Sequence, residues 1–303
     1  MRTYTAALGA LALATIGGAQ QVLLMPNSLR DTVWTLDPFD GSVISQNFIT
    51  DPNHVTTINA IDSGRGTVFV SDQVADAVFE YDLSGTFLGT FVGPGEGLDN
   101  IRGIAVKDGD LYVTVAGGAL TGTIQKFRIS DKAQSTFVTL ATGASPWDIT
   151  FRGNDVLISD STSDDIYSYT HGGMLNGKFY DSPGTNDLNF PQQISLAGTD
   201  VLVSGFSVPN GIYRFDENGL KTAFRDTGIA VRGVYQLGNG KVLWTGGTRF
   251  GTWDPATNAL ADIYTGTTSD SFRYVELMAV PEPSTLAALG LAALFIRRRR
   301  SSR

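Results

Sequence analysis

Val68-Phe69-Val70-Ser71, then Val78-Phe79-Glu80-Tyr81, then Asp82-Leu83-Ser84-Gly85: two short strands of β-branched and aromatic residues closed by a turn. The pair recurs along the chain. Its first member returns as Val22-Leu23-Leu24-Met25, Leu111-Tyr112-Val113-Thr114, Val156-Leu157-Ile158-Ser159, Val201-Leu202-Val203-Ser204 and Val242-Leu243-Trp244-Thr245. Its second member returns as Val33-Trp34-Thr35-Leu36, Ile124-Gln125-Lys126-Phe127, Ile166-Tyr167-Ser168-Tyr169, Ile212-Tyr213-Arg214-Phe215 and Phe250-Gly251-Thr252-Trp253. The closing apolar or aromatic residue falls at 36, 81, 127, 169, 215 and 253, a period of about 43. Turn residues follow on cue, as Asp37-Pro38, Asp216-Glu217-Asn218-Gly219 and Asp254-Pro255-Ala256-Thr257-Asn258.

Self-similar sheets at this period, with no helical periodicity between the strand signals, point to an all-β, six-bladed β-propeller. Each four-stranded blade buries its faces only against its neighbours, so the ring must close. The first repeat begins at its second strand, Val22, and lacks an innermost one. A spare strand, Phe272-Arg273-Tyr274-Val275-Glu276-Leu277, follows the sixth repeat and is expected to fill that gap. Strands from both termini would then close the ring. The competing fold is a β-sandwich of two domains. The repeat resembles the NHL and SMP-30-like propellers and lacks the glycine-histidine and tryptophan-aspartate signatures of WD40 blades.

The two ends of the chain belong to no repeat. Val280-Pro281-Glu282-Pro283-Ser284-Thr285 precedes an uncharged apolar run from Leu286 to Ile296 and then Arg297, Arg298, Arg299 and Arg300. The prolines stiffen an extended segment. The run spans roughly 20 Å as helix against about 30 Å of membrane hydrocarbon, and the arginines hold the cytoplasmic side. The arrangement resembles the PEP-CTERM sorting signal, with Pro281, Glu282, Pro283 and the four arginines as its marks. The resemblance implies an exosortase that processes the tail and a membrane stay that is only transient. At the other end, Met1-Arg2, an apolar stretch from Ala6 to Ile16 and Gly17-Gly18-Ala19 read as a signal peptide cut by signal peptidase after Ala19. The expected organisation is therefore a signal peptide at 1–19, the propeller at 20–279 and the sorting segment at 280–303. The expected location is the cell envelope surface or the extracellular space.

Composition narrows the function classes. The chain has 303 residues, 42% hydrophobic and 17% charged, enough for a sizeable core, and no cysteine, so disulfides contribute nothing. Its formal charge is −8. Loss of Arg2 from one end and of Glu282 and five arginines from the other leaves 16 basic and 29 acidic residues, net −13. Such a surface repels nucleic acid and anionic lipid.

Catalytic motifs are scarce. His54 follows Asp51-Pro52-Asn53 and His171 precedes Gly172-Gly173, and both read as solvated turn histidines. There is no paired-histidine metal motif and no Gly-x-Ser-x-Gly elbow. Gly93-Pro94-Gly95-Glu96-Gly97 lacks the lysine of a phosphate loop and reads as an interblade connection. Asp160, Asp164 and Asp165 offer oxygen ligands for calcium, without EF-hand order or its glycine, so a polar turn is the plainer reading.

One constellation emerges when the innermost strands are aligned. Two residues before each inward aliphatic stand Thr56, Arg102, Trp147, Gln192, Arg232 and Arg273, at spacings of 46, 45, 45, 40 and 41. Equivalent positions on innermost strands ring one mouth of the central channel. Three arginines, a glutamine and a tryptophan there would make a cationic, hydrogen-bonding patch that suits a carboxylate or sugar acid, with Trp147 expected to stack on a sugar ring. The plainer alternative pairs the arginines with Asp99, Asp148 and Asp270. Three functional readings follow: a non-enzymatic surface or matrix module that binds polysaccharide, peptide or a surface protein; a metal-dependent hydrolase or lyase of the SMP-30 or streptogramin-lyase kind; and a structural module for assembly. The missing catalytic set favours the first.

Overall fold

The computed structural model describes residues 20–54, 57–184 and 186–280. The signal-peptide segment, the sorting segment beyond residue 280 and Thr56 lie outside these described residues. One compact unit spans Gln21–Met278. It comprises six four-stranded antiparallel sheets.

Blade 1 contains β1 (Gln20–Asn27), β2 (Thr32–Leu36) and β3 (Val43–Thr50). Blade 2 runs through β4 (Thr57–Asp62), β5 (Thr67–Asp72), β6 (Ala77–Asp82) and β7 (Phe87–Val92), and blade 3 through β8 (Ile101–Lys107), β9 (Asp110–Val115), β10 (Thr123–Arg128) and β11 (Gln134–Thr139). Blade 4 holds β12 (Pro146–Arg152), β13 (Asp155–Asp160), β14 (Asp165–Thr170) and β15 (Leu175–Tyr180). Blade 5 holds β16 (Pro191–Ala197), β17 (Asp200–Gly205), β18 (Gly211–Phe215) and β19 (Lys221–Asp226). Blade 6 holds β20 (Gly233–Gln236), β21 (Val242–Gly246), β22 (Arg249–Asp254) and β23 (Ala259–Thr265), after which β24 (Glu276–Val280) returns to blade 1. The first strand of each blade lines the axis, and β4, β8, β12, β16 and β20 pack against their neighbours there. The Gly93–Gly97 stretch is indeed an interblade connection, with a single turn of 3-10 helix at Pro94–Glu96.

The register explains the period read from the sequence. Each closing residue faces the start of the preceding strand: Leu23 opposite Leu36, Val68 opposite Tyr81, Leu111 opposite Phe127, Val156 opposite Tyr169, Val201 opposite Phe215 and Val242 opposite Trp253. These alternating residues meet between blades. Ile61, Phe69 and Val78 of blade 2 pack with Leu111, Val113 and Phe127 of blade 3, and clusters of the same kind join blades 3 to 4, 4 to 5 and 5 to 6. Turn glycines permit close contact. A Cβ on Gly219, at φ +85°, would lie 1.8 Å from the Phe179 carbonyl oxygen of blade 4, and one on Gly85, at φ +82°, 2.0 Å from that of Phe48 in blade 1.

Blade 1 closes with strand order β24-β1-β2-β3. The closing segment is the expected one, but its regular ladder starts later. Phe272 bridges to Asn27 and the Arg273 N–H donates to the Pro26 carbonyl at 3.0 Å, whereas the strand proper runs Glu276–Val280. The break falls where β8, β12 and β16 also slip register, between Ile101 and Ile104, Pro146 and Ile149, and Pro191 and Ile194. It is the same bulge at the same height in the ring. The seam carries Trp34, 1% exposed, edge-on to Phe250, Tyr264 and Phe272 at 5.0–6.2 Å between centroids. Asp270 ties the approach down, accepting from Arg30 Nε at 2.5 Å, Asn27 Nδ2 at 2.8 Å and the Thr267 N–H at 2.8 Å.

Candidate functional site: an arginine-lined channel mouth

Register decides which residues share a level of the channel. Ile104 pairs with Val113, Ile149 with Ile158, Ile194 with Val203, Val234 with Trp244 and Ala60 with Val70. Counting back two residues gives Arg102, Trp147, Gln192, Arg232 and, in blade 2, Ile58. The blade 2 member of the ring is thus Ile58, fully buried, and the expected Thr56 lies outside the described residues. The small Ala60 occupies the inward aliphatic place, so Ile58 takes its role in a reading by sequence alone. On the closing segment Arg273 holds the equivalent level through its bond to Pro26.

A repeated hydroxyl fixes that level. Ser71, Ser159, Ser204 and Thr245, on the second strands, donate to the carbonyls of Arg102, Gln192, Arg232 and Arg273 in the next blade at 2.5–2.9 Å. Thr114 has the same position, but its hydroxyl is buried without a partner. The carbonyl it would serve, that of Trp147, accepts instead from the Tyr274 hydroxyl at 3.3 Å. Tyr274 starts from blade 1 and reaches blade 4 on the far side, so its fully buried ring crosses the channel at this level. Ile58 and Trp147 pack against it.

The three arginines lie around the Tyr274 hydroxyl, close enough for their charges to act on it. The Arg102 side chain stacks on Trp147 with its guanidinium carbon 3.9 Å from the ring centroid, and Nη1 donates to Ser145 Oγ at 2.8 Å. Arg232 lies 4.8 Å from the Phe206 centroid, and Arg273 Nε donates to Ser28 Oγ at 2.8 Å. Burial pushes the Arg102 guanidinium down to about 10, and burial plus repulsion by Arg232 pushes Arg273 down to about 9; both stay charged at neutral pH. Arg102 Nε, Arg232 Nε and Gln192 Oε1 are buried with no hydrogen-bond partner. The carboxylates expected as alternative partners are engaged elsewhere. Asp148 accepts from the Ile194 N–H at 2.8 Å, Asp270 holds Arg30, and Asp99 packs beneath Gly117. Among the described residues, arginine ion pairs involve Arg30, Arg65, Arg128, Arg152, Arg214 and Arg249, none of them in the ring. Trp147 corrects one expectation: it is 7% exposed, covered by Arg102, flanked by Phe190 at 5.3 Å, and its N–H donates to Ser161. No face is free to stack on a sugar.

The other candidates take separate places. Asp160 accepts from the N–H groups of Ser145 and Thr162, Asp164 from that of Phe190, and Asp165 from that of Ser182 while pairing with Lys178 at 2.8 Å. The three carboxylates brace three different turns, and among the described residues no group of three or more acidic or histidine side chains is placed to hold a metal ion. His54 is more than a solvated turn residue. Its Nδ1 lies 2.6 Å from Asp51 Oδ2, Tyr81 donates to the same oxygen at 3.0 Å, and the imidazole packs 3.8 Å from Phe79 between centroids. His171 stays exposed, its ring edge-on to Phe151 at 5.4 Å.

Residues 279–300 match the family model of the PEP-CTERM protein-sorting motif. The motif implies export to the cell envelope and processing by an exosortase. Among the described residues no helix is long and apolar enough to cross a membrane. No curated protein matches the sequence. The fold is similar to a chain in the crystal structure of a nidogen/laminin complex, with TM-score 0.69 and 13% identity over 85% of this chain and 98% of that one. It is also similar to streptogramin B lyase, with TM-score 0.56 and 17% identity over 86% and 74%, and to a protein of unknown function from Bacteroides caccae, with TM-score 0.63 and 11% identity over 86% and 99%. At these identities the likeness concerns the fold.

Proposed function

We propose that the mature protein is a non-enzymatic binding module of the cell surface or extracellular matrix, freed at its N-terminus by signal peptidase and at its tail by an exosortase. Its ligand is an acidic polysaccharide, held by carboxylates at the mouth ringed by Arg102, Arg232 and Arg273. The observation that carries this reading is three arginines around Tyr274 with no ion-pair partner among the described residues. Buried guanidinium nitrogen without a partner is costly, and an incoming carboxylate supplies the missing acceptor. Arg232 and Arg273 are the more accessible pair, and Arg102 is buried.

Isothermal titration tests this. Oligogalacturonate is expected to bind, with neutral oligosaccharides of the same length at least tenfold weaker. Arg232→Gln and Arg273→Gln should each weaken the acidic ligand about five- to tenfold, on the order of 1 kcal/mol for a partly exposed charge. Equal affinity of wild type and the double variant would remove the mouth as the site.

A further inference from the structure

The loops beside the arginines share one backbone bond and differ in what they hang on it. In four blades the first residue after the second strand donates its N–H to the carbonyl of the residue two before the ring position. These bonds join Ser28 to Ser271 at 2.9 Å, Ala116 to Asn100 at 3.3 Å, Ser161 to Ser145 at 3.1 Å and Phe206 to Phe190 at 3.1 Å. Blades 1, 3 and 4 thus place small or polar residues at both ends. Blade 5 places two phenylalanines there. The same bond forms in every case, so the fold does not require the aromatic rings.

The backbone of Phe190 makes the choice less expected still. Its φ of +53° lies in the left-handed region, which a bulky side chain seldom adopts. Asn100, at the same place in blade 3, has φ +52°, and asparagine tolerates that conformation well. An aspartate of the preceding blade holds each N–H: Asp164 Oδ1 that of Phe190 at 2.8 Å, and Asp76 Oδ1 that of Asn100 at 2.6 Å. The loop sets this geometry, and blade 5 fills it with a side chain that fits it poorly.

The two rings extend an aromatic row between two arginines of the mouth. The Arg102 guanidinium lies on Trp147, Trp147 is 5.3 Å from Phe190, Phe190 is 5.3 Å from Phe206, and the Arg232 guanidinium carbon is 4.8 Å from the Phe206 centroid. Trp147 is covered. Phe190 and Phe206 are only half-buried, and Val208, two residues beyond, is 73% exposed.

We propose that Phe190 and Phe206 form the saccharide subsite of the mouth, a platform for the C–H face of a uronate ring whose carboxylate is taken by Arg232. This inference rests on the acidic-polysaccharide reading and names the part of the ligand that lies beside the charge. A pyranose ring laid C–H face down on a phenyl ring loses apolar surface to water, and a carboxylate at its edge comes within reach of the neighbouring guanidinium. Arginines alone accept any carboxylate. The aromatic platform is what distinguishes a uronate from the rest.

The probes are trigalacturonate and tri-L-glutamate, of equal net charge at neutral pH, titrated by calorimetry into the folded protein at one ionic strength. Trigalacturonate is expected to bind at least fivefold more tightly. Phe206→Ser and Phe190→Asn give blade 5 the residue types that blades 4 and 3 carry at the same places, so both variants are expected to fold. Each should weaken trigalacturonate about three- to tenfold and leave tri-L-glutamate within about twofold, whereas a merely structural role would move both ligands alike. Arg232→Gln should weaken both. If Arg232→Gln weakens trigalacturonate and the phenylalanine variants do not, the platform is overturned while the mouth stands. If Arg232→Gln changes neither ligand, the mouth reading falls and this subsite with it. Equal affinity for the two ligands, with equal losses in the phenylalanine variants, would assign the rings to an acidic peptide and overturn the proposal.

Discussion

At the scale of single residues, the hydroxyls between blades give the sharpest contrast. Ser159 and Ser204 each serve a carbonyl of the next blade from a fully buried position. Alanine at either site leaves that acceptor without its partner and should cost about 1 kcal/mol in chemical denaturation. Thr114 stands in the same register with nothing to bond, so Thr114→Val should be neutral or stabilising. A loss at Thr114 equal to that at Ser159 would mean that the latch is complete there too. Glu276 adds a pH dependence of definite sign. Its carboxyl is raised in the folded state, so its contribution is fully present below about pH 4.5 and is lost as pH rises through about 7. Urea melts of wild type should show this decline, on the order of 1–3 kcal/mol, and the Glu276→Gln protein should lack it. None of these roles was visible as sequence. Ser, Thr and Glu at strand positions look alike until register shows which carbonyl lies opposite, and Trp147 looked available until Arg102 was seen lying on it.

At the scale of elements, the closing segment is decisive. Phe272, Tyr274, Val275 and Met278 are each at most 1% exposed, and all come from the last nine residues of the ring. At about 1.5–3 kcal/mol each, their loss approaches a typical net stability of 5–15 kcal/mol. It also strips β1 of its partner and leaves an open edge. A chain shortened to end at Ser271 should lose cooperative thermal unfolding, whereas one ending at Val280 should melt as the full chain does; equal melting temperatures would contradict closure at this seam. The strand pairs, the blade number and the closure were legible because inward aliphatic and closing aromatic residues repeat with a fixed offset. The boundaries of β24 and the blade 2 member of the ring were not. A bulge changes the offset without changing composition, and Ala60 gives too weak an apolar mark to be preferred over Ile58.

At the scale of the whole molecule, the propeller precedes a PEP-CTERM sorting motif at residues 279–300. The tail is expected to be absent from the mature form. Protein from the native envelope should have an intact mass lacking residues 1–19 and the stretch containing Arg297 to Arg300; a mass that retains those arginines would contradict processing. The expected loss of both termini would make the protein more acidic, so the arginine mouth would be a local exception on a surface of net −13. Long-range repulsion then opposes an acidic ligand, and short-range contacts at the mouth must exceed it. Moderate salt screens both terms, with a length of about 8–10 Å near physiological ionic strength. The most direct measurement is a crystal structure of the mature protein with bound trigalacturonate. The expected density places a carboxylate within hydrogen-bonding distance of the Arg232 or Arg273 guanidinium above the Tyr274 ring. Density elsewhere with an empty mouth, or the two guanidinium groups turned into the blade interfaces, would contradict the assignment of the mouth as the binding site.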